Sequence, residues 1–425
     1  MDLNILVFPC GSEIALELHR SLKFSRHITL FGANSVDDHG KFVFENYIGG
    51  LPFFSADNFI DNINKIIDEY KIDAIYPAMD AVIAKLSEVS DQINCKIIGS
   101  SNETNQICLS KKITYDLFID EDFCPKQFNF DELDNTQFPL FMKPTIGYGS
   151  RGAYKVNSIE EVGNQLVKYP NSLILEYLPG IELTVDCFTD KYGRLRFFGP
   201  RVRTRVVNGI SVNTQIYKDN YEEISSIVNC INNKIKFRGA WFVQLKFNKN
   251  NKLSLLEIAA RFGGSSSLYR NLGINFALLS VFDAFDYDID LFTNSYEIEL
   301  DRALDNKYKL SIYYDYVYCD FDDCLIIKNK VNTQLLAFLY QCLNEGKILI
   351  LITKHDKDIN QALQKYRLIG LFDQIIHLKM ADSKYRFISH KNSIFIDDSY
   401  KERLEVYNEL AIPCFAPDNI EILIK

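Results

Sequence analysis

Short apolar runs alternate with amphipathic stretches over the first hundred residues. NILVF (4–8) is apolar throughout, as in a strand buried on both faces. From Ser12 to Leu22 apolar residues recur at helical spacing, which predicts an amphipathic helix. HITLFG (27–32) reads as the next strand, followed by a helix near 58–70 and a strand at DAIYPA (73–78). A helix from Asp80 and a strand at CKIIGS (95–100) complete the series. Strand and helix in alternation predict an α/β unit, a parallel sheet covered on both faces. The turn Cys10-Gly11-Ser12 lacks the full dinucleotide fingerprint, so no nucleotide is assigned there.

The pattern then changes. A helix follows Ser110 (KKITYDLFI), QFPLFMKP leads into a glycine-rich stretch, and a helix near 158–168 precedes the strand SLILEYL (172–178). LTVDCF, RLRFFG, GAWFVQLKF and KLSLLEIAA read as further strands, so this part is α+β with an antiparallel bias. Strand and helix alternate again in the last part, with strands at YVYCDFD, KILILIT, QIIHL, SIFIDD and PCFAP, which predicts a second, small doubly wound unit. The polar stretch DRALDNKYK, near residue 310, reads as the boundary. The expected division is 1–105, 106–310 and 311–425.

Composition narrows the class. Of 425 residues 47% are apolar, enough for several cores, and the net charge of -9 argues against nucleic-acid and acidic-membrane partners. No run of 18 apolar residues suggests a membrane span. The N-terminus, MDLNILVFPCGSEIA, has no cationic lead and reads as a first strand rather than a signal peptide. Ten cysteines without CxxC pairs or zinc spacing read as free thiols in a cytoplasmic protein.

Several residues carry candidate chemistry. Gly147-Tyr-Gly149-Ser-Arg-Gly152 matches GxGxxG, but its continuation GAYKV reads as a strand, whereas the dinucleotide motif opens a helix. A hairpin of this kind makes a flap whose N–H groups can cover phosphates, with Lys143 adding a cation; an ordinary glycine-rich hairpin fits the segment equally. Glu257 lies among apolar residues on a strand that reads as central, and a buried carboxylate needs a metal or a cation. Arg201, Arg203 and Arg205 alternate on one strand face, as in an anionic-substrate site or a solvated edge strand. Asp320-x-Asp322 ends an apolar strand, Thr353 ends KILILIT, and SIFIDDS carries Asp397 and Asp398. Such strand ends bind ligands in doubly wound sheets.

Three segments, in order, carry a family resemblance. FPLFMKPTIGYGSRGAYKV resembles the phosphate flap of ATP-grasp enzymes, LILEYLPGIELTVD (173–186) their hinge, and LSLLEIAARFGG (253–264) their metal strand. DAIYPAMDAV resembles the pre-grasp domain of the carbamoyl phosphate synthase large-subunit branch, so the resemblance spans about residues 1–310. It implies a Mg-ATP-dependent ligase that activates a carboxylate as an acyl phosphate, captured by an amine or another nucleophile. It implies ATP contacts from Lys143 (α-phosphate and adenine edge) and from Lys111 or Lys112, with Lys111 preferred. Gly147, Gly149 and Gly152 would form the flap. Glu176, Tyr177 and Leu178 would form the adenine hinge, and Glu182 would accept from the ribose hydroxyls. Glu257 and Gln244 would hold Mg²⁺, or Mn²⁺ in its place, and Arg261 would neutralise the γ-phosphate or acyl phosphate. Ala259 departs from the usual Glu-x-Asn and leaves the second metal position short of an oxygen. The implied partners are a small-molecule carboxylate and a nucleophile, with no nucleic acid and no membrane, in an assembly that is commonly a homodimer. An ATP-grasp kinase of small molecules and a degenerate nucleotide sensor are the competing readings.

The C-terminal set resembles the haloacid dehalogenase-like phosphatases. It implies Asp320 as nucleophile, Asp322 as acid and base, and Thr353 and Lys384 as holders of the phosphoryl oxygens, with Lys379 the weaker lysine. Asp397 and Asp398 would hold Mg²⁺ together with Asp320. Cys324 stands where Thr or Val is usual. The short span from Asp320 to Thr353 leaves no room for a large cap. His355 and His377 lie nearby without a nameable role and read as surface or core residues.

Overall fold

A computed structural model describes residues 2–147, 151–207, 209–303 and 306–424. The first sheet is parallel, with strands β1 (Leu3–Phe8), β2 (Ile28–Ala33), β3 (Asn46–Ile48), β4 (Ala74–Pro77) and β5 (Lys96–Ile97). Their order is β3-β2-β1-β4-β5. The unbroken apolar run of β1 has a simple cause: Ile5 and Val7 join Ala15 and Leu18 in one core, while Leu6 and Phe8 join Phe59 and Ile63 in another. The helix Glu13–Leu22 starts where the Ser12 hydroxyl accepts from the Ala15 N–H at 3.1 Å. The short β3 carries no apolar alternation and was not expected from the sequence.

The middle of the chain builds two sheets. Strands β6 (Gln127–Phe128), β7 (Leu140–Pro144), β8 (Tyr154–Val156) and β9 (Ser172–Glu176) form an antiparallel sheet of order β6-β9-β7-β8. The larger sheet contains β10 (Glu182–Thr189), β11 (Leu195–Val207), β12 (Ile210–Ile216), β13 (Gly239–Phe247), β14 (Leu253–Ala259), β15 (Ile298–Arg302) and β16 (Asn306–Leu310). It is antiparallel, in the order β14-β13-β10-β11-β12-β15-β16.

One expectation is corrected here. The strand of Glu257, β14, is an edge strand and not a central one. Its flank is covered, because the Leu255 N–H donates to the Phe123 carbonyl (2.8 Å) and the Tyr115 hydroxyl donates to that of Leu256 (2.7 Å), so the strand reads as interior. The polar stretch read as the boundary runs from the end of β15 into β16, the last strand of the large sheet. Ile298 and Leu300 are buried, and Tyr308 and Leu310 pack on the same core.

The last sheet contains β17 (Tyr316–Cys319), β20 (Ile348–Thr353), β21 (Gln374–His377), β22 (Ser393–Ile396) and β23 (Cys414–Phe415), all parallel, in the order β21-β20-β17-β22-β23. A small hairpin, β18 (Ile326–Ile327) and β19 (Lys330–Val331), is inserted after β17. The strand order turns back on itself around β17, and a crevice forms beyond the carboxyl end of such a strand. Asp320 is the first residue past that end. All ten cysteines are free. Among the described residues no helix is long and apolar enough to cross a membrane.

Candidate active sites

The first site lies between the two antiparallel sheets. The chain passes from β9 to β10 through residues 177–181, so the hinge stretch joins one sheet to the other. A cavity of about 190 Å³ opens beside it. Its wall includes Glu176, Tyr177 and Leu178 from the crossing, and Lys143 and Gly147 from the other side. The glycine-rich segment connects the antiparallel strands β7 and β8. Gly149 lies outside the described residues. Gly152 has φ +73 and sits against Pro144, a conformation and a spacing that leave no room for a side chain.

Register explains the floor of the cavity. Thr184, Gln244 and Glu257 stand directly opposite one another on β10, β13 and β14, so all three share one sheet face. Two residues away, Glu182 opposes Lys246 on that face. Lys111 is the first residue of the helix Lys111–Leu117; its ammonium lies 3.4 Å from Glu257 and donates to the Gly147 carbonyl at 3.1 Å. Lys112 instead pairs with Asp116 on the exterior, at 3.0 Å. Lys143 is buried, donates to the Leu256 carbonyl at 2.6 Å and lies 5.0 Å over the Tyr115 ring. Burial pushes its pKa down to about 7; Lys111 adds to the fall, while Glu257 and Glu182 oppose it. With Arg151, Arg203 and Lys246 also on the wall, cations outnumber the carboxylates of Glu176, Glu182 and Glu257. The Glu176 carboxylate accepts from the Lys126 N–H at 3.0 Å.

The arginines need correction. β11 is an inner strand, so the solvated-edge reading fails. Each arginine also has its own carboxylate: Arg201 pairs with buried Asp186 (2.6 Å), Arg203 with Glu182 (2.6 Å) and Arg205 with Asp301 (2.9 Å). Of the three only Arg203 lines the cavity, so they do not form a common anion site. Arg261 is placed elsewhere too. It is clamped by Asp80 at 2.5 and 3.1 Å and lies 5.2 Å over the Phe242 ring, off the cavity wall. Asp80 opens a helix of the first unit, 181 residues away, and gives no sign of this in the sequence. Ala259, buried opposite Phe242, offers no oxygen.

The second site lies at the carboxyl ends of the last sheet. Oxygens of Asp320, Asp397 and Asp398 lie within 4.8 Å of one another. Lys384 opens a short helical turn and is buried between two of them, 2.7 Å from Asp320 and 2.6 Å from Asp397. Burial pushes Asp320 up to about 6 and Asp397 up to about 7 against the pull of Lys384; repulsion from Asp398 adds to the rise at Asp320, and repulsion from Asp320 to the rise at Asp397. Asp398 is pushed up to about 6, again chiefly by burial. The Lys384 ammonium, 2.7 Å away, is the partner of the buried Asp320 Oδ1 among the described residues. Such a set, with more negative than positive charge out of water, fits a divalent cation bound by oxygens.

Thr353, fully buried, accepts from the His355 N–H at 3.2 Å. Lys379 is exposed and stands apart from the trio. Asp322 is half exposed and lies 2.9 Å from His355 Nδ1, so His355 is not the bystander the sequence suggested. The period-two step from Thr353 to His355 at a strand end was the available signal. Lys246 was missed as well, though two residues after Gln244 it had to share its face. His377 Nε2 donates to the His355 carbonyl at 2.7 Å.

Residues 168–299 match the model of the family described as ATP-grasp in the biosynthetic pathway with Ter operon. No curated protein matches the chain. Among solved structures, the biotin carboxylase domain of Hydrogenobacter thermophilus 2-oxoglutarate carboxylase, in complex with MgADP, ADP and bicarbonate, is 17% identical with a TM-score of 0.60, over 71% of this chain and 74% of that one. N5-carboxyaminoimidazole synthetase from Staphylococcus aureus, complexed with ADP, is 15% identical with a TM-score of 0.58, over 71% of this chain and 82% of that one. L-amino acid ligase from Bacillus licheniformis is 16% identical with a TM-score of 0.55, over 71% and 79% respectively. Likeness at such identities establishes a shared fold.

Proposed function

We propose that the chain is a cytoplasmic, Mg-ATP-dependent ligase that joins a small-molecule carboxylate to an amine or similar nucleophile, fused to a phosphatase-like unit. The proposed units are 1–105, 106–310 and 311–425. One observation carries the ligase reading: Lys111, Lys143, Glu182, Gln244 and Glu257, distant in sequence, surround one cavity with surplus positive charge beside the β9–β10 hinge. That charge suits a nucleotide polyphosphate. Lys111 and Lys143 would hold phosphates, residues 176–178 the base, and Glu182 the ribose. Gln244 and Glu257, opposed on neighbouring strands, fit one Mg²⁺ shared with the phosphates. The metal would supply charge neutralisation there. Alanine at 259 supports a single protein-held metal. Relatives in fold that are ligases or carboxylases, two of them crystallised with ADP, support the same reading.

The test is hydroxylamine trapping with a panel of carboxylates. Hydroxamate is expected only when ATP and a carboxylate are both present. Glu257→Gln is expected to lower that yield roughly 10²-fold, the usual cost of removing one charge-stabilising group. A phosphorylated product released without any second nucleophile would replace the ligase with a kinase, and nucleotide binding without turnover on any carboxylate would leave a sensor.

Lys143 makes nucleotide binding pH-dependent. Its folded pKa, about 7, lies far below the usual lysine value, so in the free protein it loses its proton as pH rises through 7. A bound phosphate favours the charged form and draws the proton back. Affinity for ATP is therefore expected to fall between pH 7 and 9, with proton uptake seen by calorimetry in buffers of differing ionisation heat. Lys143→Met should bind more weakly and lose the uptake; an unchanged uptake would assign it to another group.

For the C-terminal unit, the clustered carboxylates around Lys384 support an aspartyl-phosphate hydrolase. Asp320 would attack phosphorus and Asp322 would serve the leaving oxygen, with His355 holding Asp322 in place. Thr353 and Lys384 would hold the phosphoryl oxygens.

A further inference from the structure

A cavity of about 640 Å³ lies where all three units meet, within the range of sites that enclose drug-sized molecules. The stretch before β2 contributes Phe24 and Arg26, the helix Phe276–Ala284 contributes Leu279 and Phe282, and the C-terminal unit contributes Asp398 and Tyr400. Asp398 joins this space to the second site, because its carboxylate belongs to the trio with Asp320 and Asp397. The wall is mixed: the rings of Phe24, Phe282, Phe292 and Tyr400 share it with arginines and aspartates. The rings meet in pairs, Phe292 with Tyr400 at 5.5 Å between centres, and Phe282 edge-on with His27 at 6.0 Å.

The C-terminal unit has little to cover its own site, since between β17 and the helix Thr333–Asn344 it inserts only the β18–β19 hairpin. The other units supply the cover. Arg26 pairs with Asp323 at 2.5 Å, three residues past Asp320, and Lys328 on the hairpin donates to the Ile28 carbonyl at 3.0 Å. Asp398, on the cavity wall and in the trio with Asp320, thus places the interdomain cavity next to a phosphoryl group seated at Asp320.

We propose that this cavity receives the organic body of a phosphate monoester, and that the body is an aromatic or heteroaromatic ring system. The inference rests on the phosphatase reading of the C-terminal unit. Asp320 forms a bond to phosphorus as the bond from phosphorus to the ester oxygen breaks, and Asp322 gives that oxygen its proton. Water then attacks the phosphorus of the aspartyl phosphate and gives its proton to Asp322 as the bond from phosphorus to the Asp320 oxygen breaks, which releases orthophosphate and returns Asp320 as a carboxylate. The ring-bearing alcohol or phenol leaves through the cavity.

Two probes on the full chain test this: 1-naphthyl phosphate, which needs the cavity, and acetyl phosphate, which does not. The KM for 1-naphthyl phosphate is expected to lie at least about tenfold below that for acetyl phosphate, the scale on which an apolar pocket discriminates. Leu279→Trp, which fills the cavity, and Phe282→Ala, which removes a ring, are each expected to lower the kcat/KM ratio of naphthyl to acetyl substrate about tenfold or more. The ratio cancels any loss of folded enzyme. An unchanged ratio in both variants overturns the cavity assignment and leaves the phosphatase standing. Wild-type protein that fails to hydrolyse acetyl phosphate, or Asp320→Asn that hydrolyses it undiminished, overturns both.

Discussion

Asp320→Asn is expected to lower p-nitrophenyl phosphate hydrolysis by roughly 10³-fold or more, the scale of losing a covalent nucleophile. Asparagine keeps the shape and loses the charge. Asp320 is 6% exposed, and Lys384 is held 2.7 Å from it. The substitution removes one of three crowded carboxylates whose pKa values burial raises, while Lys384 keeps Asp397 at 2.6 Å. The folded protein should therefore keep its melting temperature or gain slightly, so lost activity cannot be ascribed to unfolding. ATP-dependent hydroxamate formation should survive, because the nucleotide cavity is walled by other residues. Hydrolysis within a fewfold of wild type would remove Asp320 from the chemistry.

Arg270→Ala is expected to destabilise the chain by about 3–5 kcal/mol, the cost of breaking a buried ion pair from one side. The Arg270 side chain is 2% exposed, and its guanidinium lies 2.9 Å from Glu17 and 2.5 Å from Glu421. It also donates to the Asp418 carbonyl, and Tyr308 donates to Glu421 at 2.7 Å. Glu17 belongs to the helix Glu13–Leu22 of the first unit, Arg270 to the short helix Ser267–Arg270, and Glu421 to the C-terminal turn Pro417–Leu423. One cation thus ties together segments from all three parts of the chain. Without it Glu17, whose pKa burial already raises, keeps only the more distant Arg20, 3.6 Å away, and is left an under-compensated buried charge or takes up a proton. Urea denaturation measures the loss. Replacing Arg270, Glu17 and Glu421 together by Met or Leu should recover much of it; a loss below about 1 kcal/mol for Arg270→Ala would show that the network is not what joins the units.

Much of the site was legible because local rules place it. Lys143 ends one strand, Glu182 begins another, Gln244 and Glu257 lie on strands whose alternation is plain, and all line the cavity. Asp320, Asp397 and Asp398 end apolar runs and converge, since parallel strands bring their carboxyl ends to one edge. The arginines were misread because charge balance is a long-range matter. Nothing near Arg261 announces Asp80, and nothing near Arg203 announces that Glu182, a proposed ligand group, is its partner. His355 was passed over because its partner, Asp322, is on another strand end.

Taken by itself, the sequence determined most of the strands and helices, though not β3 or the β15–β16 pair, and that the parallel sheets frame an antiparallel middle. Those properties follow from apolar periodicity, a signal carried within a few residues. Tertiary structure alone decided strand order, the edge position of β14, the neutralisation of each arginine, and the cavity shared by three units. Each of these depends on contacts between different segments, from 15 positions apart for Arg201 and Asp186 to 181 for Arg261 and Asp80, and no periodicity within a segment encodes which other segment will meet it.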